Sequence, residues 1–211
     1  MDDDAIADRD FLERTLIFFG EHDDAAGMGG RIIPKYIPEE PKWMSYFVSS
    51  LVGNFDYSNE TEIFRPNKYP LESNMVVRTE DFRSIGGFNT SLPGVVGTLR
   101  IGGEGKDFFL KLQSLNKRIY YDPSVRVQHI VETQKLNRNY LYRVASGIGR
   151  GERVRMLEKG GLAFAKKFLE YLFKLGASFV IAFYYVIRAT PAKAMPVIWF
   201  RIDALKGLFN R

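Results

Sequence analysis

The chain changes character at Gly160 and Gly161. Before that pair, short apolar runs alternate between the two-residue period of a strand and the 3.6-residue period of a helix, separated by breaks rich in Gly and Pro. After it, the sequence reads only as long apolar helices that carry Lys, Arg and aromatic side chains. Strands must pair with strands and helices must bury a face. Residues 1–160 therefore call for a mixed domain of sheet and helices, and residues 161–211 for helices added to it. The expected class is α/β, with α+β as the other mixed arrangement.

With 211 residues the chain has room for one domain with a core and an appendage, but not for two full domains. Its 45% hydrophobic and 26% charged residues are those of a globular protein. The absence of Cys excludes a disulfide framework, a thiolate zinc site and a cysteine nucleophile, and fits a cytosolic compartment. Three acids and no basic segment open the chain, unlike a secretory signal. The net charge of +5 is uneven: acids crowd positions 2–24, and bases dominate from Lys135 onward. That asymmetry suits an anionic partner near the C-terminal half, such as nucleotide phosphate or acidic lipid. Nucleic acid is not expected, because no helix-turn-helix, finger or RNA-recognition pattern occurs.

Along the chain, Phe11, Leu12, Thr15, Leu16 and Phe19 predict a helix over 8–19, and Arg31 to Ile33 a short strand between loops. Trp43 to Val52 reads as a short helix, and 56–70 as a long polar surface loop. A strand over 74–78 precedes a helix that opens at Thr79, with Glu80 and Asp81 in its first turn, and closes at Gly86 and Gly87. Residues 107–115 form a helix entered through a glycine-rich turn; Val125, Val127 and His129 alternate as a half-buried strand; 137–155 is basic and helical. The uncharged run 175–187 has 13 residues, short of the roughly 20 needed for a membrane span. On the last helix Ile198, Ile202, Leu205 and Phe209 share a face away from Arg201, Lys206 and Arg211, the pattern of a basic interfacial helix. A helical cap on the core is the alternative.

The opening "MDDDAIAD" holds Asp residues at D-x-D spacing, which suits a divalent cation because hard oxygen donors must converge from a short turn. A solvated acidic tail is the competing reading. His129 at the end of its strand is likewise either a satisfied core residue or a ligand.

Taken in order, "DDDAIAD", "GGRIIP", "YPLESNMVVRTEDFRSIGGFN", "GGEGKDFFLKL", "RIYYDPSVRVQHIV" and "YLYRVASGIGRGE" resemble the second half of the catalytic domain of family-2 glycosyltransferases of the GT-A type. The likeness runs from Asp2 to about Glu152. It implies the acceptor-side half of a GT-A (nucleotide-diphospho-sugar transferase) fold over 1–160, starting at the D-x-D motif, with C-terminal helices over 161–211. It also implies a nucleotide-sugar donor, a divalent metal (Mn or Mg), and inverting transfer to the hydroxyl of a glycan or lipid-linked acceptor in polysaccharide or glycan synthesis. Asp2 and Asp4 match the D-x-D positions, Asp4 as metal ligand and Asp2 on the donor side; His129 matches a position near metal and diphosphate. Asn74 and Met75 match the strand beside acceptor and donor sugar, while Glu72 and Ser73 stand where small Gly-Ala is usual. Arg138 and Arg143 are in reach of phosphates by this reading, a solvated helix face being the other.

The family's acidic motif, G-E-D-x-D, reads here Gly103, Glu104, Gly105, Lys106, Asp107. Gly105 stands where the usual general base is expected. The resemblance then implies Glu104 as base and Asp107 as the next candidate, with a helix N-cap as the bland role for Asp107. In the family a nucleotide-binding half precedes the D-x-D motif. Here Met1 directly precedes Asp2, so that half is expected from a longer reading frame or a partner chain. The expected location is cytoplasmic, peripheral at the cytoplasmic face of the membrane. A non-catalytic glycosyltransferase-like subunit that binds a partner chain is the alternative function.

Overall fold

The computed structural model describes residues 1–96 and 99–210. In chain order the elements are β1 (Ala5–Ala7), α1 (Phe11–Glu21), β2 (Ala25–Ile37), α2 (Tyr46–Ser49), β3 (Glu62–Ile63), β4 (Met75–Val77), α3 (Thr79–Ser84), β5 (Gly94–Val96), β6 (Leu99–Ile101), α4 (Glu104–Ser114), β7 (Arg118–Glu132), α5 (Arg138–Glu158), α6 (Gly161–Ile187) and α7 (Ala194–Phe209). The fold is mixed α/β with C-terminal helices. It divides into a sheet unit (Met1–Lys35, Gly53–Asn89, Gly105–Val131) and a helical unit (Tyr36–Val52, Thr90–Glu104, Glu132–Arg211).

In the sheet unit the strand order is β1-β7-β2-β4, and β3 pairs with another stretch of β7. The β1–β7, β3–β7 and β2–β4 pairings are antiparallel, with Ala5 opposite His129, Glu62 opposite Tyr121 and Gly29 opposite Met75. Apolar clusters flank the strands. One gathers Phe11 and Phe18 of α1 with Met28, Tyr120, Val125 and Val127. The other gathers Phe108, Phe109 and Leu112 of α4 with Ala26, Ile119 and Tyr121. Along β7, Ile119 and Tyr121 thus join one cluster while Val125 and Val127, of the same parity, join the other. The shift falls at Asp122-Pro123-Ser124, where Pro123 has no N–H for the ladder and the Asp122 carboxylate accepts the Ser124 N–H at 2.7 Å.

Several boundaries differ from those read in the sequence. β2 has 13 residues rather than three, because Ala25 to Gly30 are all buried. A strand covered on both faces shows no alternation, so its small residues read as loop. On α1 the buried residues are Phe11, Thr15 and Phe18, whereas Leu12 and Leu16 are exposed, a face turned from the expected one. Inside 56–70 the two residues of β3 pair with β7, and the Asp56 carboxylate accepts from Arg31 Nε and from the Tyr121 hydroxyl. The helix after β4 opens with Arg78 at the cap position and Thr79 already inside it.

In the helical unit α5 packs against α7, α6 and β6, and α7 packs against α6. Close approach of α5 and α7 depends on two glycines. A Cβ at Gly149 would overlap the Ala204 carbonyl oxygen, and one at Gly207 the Ser146 carbonyl oxygen. Buried within α5, Arg155 donates to Glu152 at 2.7 Å and to the Gly103 carbonyl at 3.0 Å, fixing the turn that enters α4. On α7, Val197, Phe200, Ala204 and Leu208 are buried against neighbouring helices, whereas Ile198, Ile202 and Leu205 of the predicted apolar face are half-buried and Phe209 is exposed. On α6, Leu162, Leu169, Phe173, Val180, Phe183 and Ile187 are exposed. By length and composition this 27-residue helix, with a mean hydropathy of 1.4 over its most apolar stretch, is sufficient to cross a membrane.

Candidate active site

The acidic turn before β1 and the end of β7 meet because the two strands pair. Opposite Ala5, His129 turns its imidazole toward the chain start, and Asp4 Oδ1 lies 3.1 Å from its Nε2. The Ile130 N–H donates to the Asp4 carbonyl at 2.8 Å, closing the ladder at this end. Asp2 is placed by a different contact: the Ser73 hydroxyl donates to its Oδ2 at 2.6 Å. As a result one ligand atom from each of Asp2, Asp4 and His129 lies within 4.8 Å of the others. His129 is buried, Asp4 half-buried and Asp2 exposed, so the group opens to solvent on the Asp2 side.

This donor set fits a divalent cation. Ligand atoms each about 2.2 Å from one ion stand no more than about 4.4 Å apart, so a small closure of side chains brings all three onto it. Carboxylate oxygens suit Mg and Mn, and an imidazole nitrogen is compatible with them. Room beside the ring comes from Gly53: with φ of +86° it holds a conformation that favours glycine, and a Cβ there would lie 2.9 Å from His129 Nδ1.

Other residues singled out in the sequence are placed as follows. Asn74, buried in the turn before β4, donates through Nδ2 to the carbonyls of Arg31 and Val125 at 3.1 and 2.9 Å, which ties β2 to β7. Met75 packs against the aromatic cluster around Phe108. Because α4 begins at Glu104, Asp107 is not the residue that caps it; it lies in the first turn and pairs with Lys111 at 3.0 Å. Glu104 lies in the helical unit, its carboxylate next to Gly94, where a Cβ would come 2.9 Å from Oε1. Arg138, also in that unit, forms a 2.6 Å ion pair with the buried Asp203 and lies over the Trp199 ring. Arg143 lies over the Tyr140 ring.

Sequence reasoning did not single out Ser73 or Gly53 as parts of the site. Ser73 had been visible only as a departure before the Asn-Met pair, and Gly53 carries no motif at all.

Among known proteins the chain is similar to a glucosyl-dolichyl phosphate glucuronosyltransferase of the archaeon Haloferax volcanii, 24% identical over 130 residues. That match covers 61% of this chain and 41% of the relative, so the chain spans less than half the length of the curated relative it matches. No family model matches the chain. No solved structure matches it either.

Proposed function

We propose that the chain is part of a family-2 glycosyltransferase of the GT-A type that moves a sugar, with inversion, from a nucleotide-sugar donor to the hydroxyl of a glycan or lipid-linked acceptor. The observation that carries this reading is the convergence of Asp2, Asp4 and His129, far apart in sequence, at the paired ends of β1 and β7. Similarity to the Haloferax volcanii transferase supports the same class. Asp4 and His129 are the proposed holders of a divalent cation, Mn or Mg, with Asp2 on the donor side. When bound, such a cation offsets the negative charge that gathers on a diphosphate leaving group. The base is drawn from the carboxylates around the start of α4.

The chain's own residues orient the site. Ser73 fixes Asp2, β1–β7 pairing fixes Asp4 against His129, and Asn74 keeps the β4 turn seated on the sheet. Contact with the cytoplasmic face of the membrane is assigned to the exposed side of α6, and the remaining donor-binding elements to a longer frame or a partner chain.

Calorimetry with Mn²⁺ and UDP, on the chain together with those remaining donor-binding elements, tests the reading. Binding of UDP is expected to require Mn²⁺ and to weaken about 10-fold or more in Asp4→Asn and in His129→Ala, since each removes one ligand from the ion. UDP affinity unchanged by a chelator would remove the metal from this site. Absence of binding in either condition, with GDP also failing, would overturn the glycosyltransferase reading.

A further inference from the structure

Gly105, the second residue of α4, has no side chain, yet the space beside it is filled. A Cβ placed there would lie 2.7 Å from Glu72 Oε1. That half-buried carboxylate accepts the Gly105 N–H at 3.1 Å. It comes from the short 3-10 turn Glu72–Asn74 that leads into β4. The next two residues of the same turn are also anchored, Ser73 on the Asp2 carboxylate and Asn74 on the carbonyls of β2 and β7. Three consecutive side chains thus join the first turn of α4, the Asp2–Asp4–His129 group and the sheet, and the carboxylate is the one of the three that accepts protons.

We propose that Glu72 is the general base of the transfer, its carboxylate standing from a distant part of the chain where a side chain at position 105 would stand. The proposal rests on the glycosyltransferase reading. It accounts for two departures in the sequence at once: an acid at 72 where a small residue is usual, and a glycine at 105 where an acid is usual. The Glu72 carboxylate occupies the space that a side chain at 105 would enter first. In the step itself Glu72 takes the proton of the acceptor hydroxyl. The oxygen's electron pair forms the new bond to the anomeric carbon, and the pair of the breaking carbon–oxygen bond leaves on the nucleoside diphosphate. The proton on Glu72 then returns to water. The hydrogen bond from the Gly105 N–H holds the carboxylate in position, as a base that must meet a hydroxyl at hydrogen-bond distance requires.

The test uses the full chain together with its nucleotide-binding half, with Mn²⁺ and UDP for binding, and UDP-glucuronate with octyl glucoside for turnover read as UDP release. Glu72→Gln keeps an acceptor for the Gly105 N–H but cannot take a proton. Its kcat is expected to fall about 100-fold or more while UDP binding stays within about 2-fold. The transposed variant, Glu72→Ala with Gly105→Asp, is expected to recover at least about a tenth of the parent kcat. A merely structural Glu72 would show no such recovery. Parent-like turnover in Glu72→Gln, or no recovery in the transposed variant, overturns the proposal. Failure of the parent to bind either UDP or GDP with Mn²⁺ overturns the underlying reading instead, and that outcome is separate because it is read without turnover.

Discussion

Asn74 shows how much one side chain carries in this sheet. Its amide serves two main-chain carbonyls, on β2 and on β7, in a place closed to solvent. Asn74→Ala leaves those carbonyls without this donor, a loss of about 1–3 kcal/mol, to be read as a lower urea midpoint with an unchanged slope. Tyr36 gives a pH signature of its own. Burial, with help from Glu40, pushes its phenol up to about 12. The unfolded chain ionises first, near pH 10, so the contribution is intact below that pH and declines as pH rises toward the folded value. Tyr36→Phe is expected to flatten the fall in urea midpoint between those pH values. At this scale the sequence announced some of the site and hid the rest. Asp2 and Asp4 are legible from their D-x-D spacing, and His129 from the family resemblance. Ser73 and Gly53 are not, because a hydroxyl or a missing Cβ acquires meaning only when folding brings it to Asp2 or to His129.

Among the elements, legibility followed periodicity. β4, α3 and α5 lie within a few residues of their predicted places because their apolar spacing and flanking residues agree. The first half of β2 did not read as strand, because Gly and Ala buried on both sides give no alternation. The start of α4 moved from Asp107 to Glu104, since the glycine-rich text read as a turn is held in place from outside, by Arg155 on Gly103 and Glu72 on Gly105. Arg155 belongs to a buried ion pair, and removing one partner leaves the other charge without its main counterion. Arg155→Leu is therefore expected to destabilise the helical unit by about 3 kcal/mol, whereas Arg155→Leu with Glu152→Leu is expected to recover part of that loss. Equilibrium urea unfolding of the three proteins checks both statements. Equal midpoints for the single variant and the parent would show that the pair carries no net stability.

For the molecule as a whole, the sequence offered α7 as an interfacial helix or a helical cap, and the structure buries one side of it against neighbouring helices. The buried side of α7 packs on α5 and α6, while Ile198, Ile202 and Leu205 stay half-buried and Phe209 exposed; α6 exposes Phe173, Val180 and Phe183, which lie between Lys166 and Arg188. Flotation with vesicles rich in phosphatidylserine is expected to carry the parent to the lipid fraction. Phe173→Glu with Val180→Glu and Phe183→Glu should leave it in the soluble fraction, without loss of helicity by circular dichroism, because all three side chains are already exposed. Flotation unchanged by the triple variant would place the contact elsewhere. The α5–α7 crossing has a consequence of another kind, for inheritance. Glycine alone lacks a Cβ, so every single-base missense change at codons 149 and 207 adds an atom where a main-chain oxygen of the opposite helix already sits. Even alanine is too large there. These two codons should tolerate only silent changes, and a genetic screen for temperature-sensitive alleles should return to them repeatedly while passing over the exposed positions of α6.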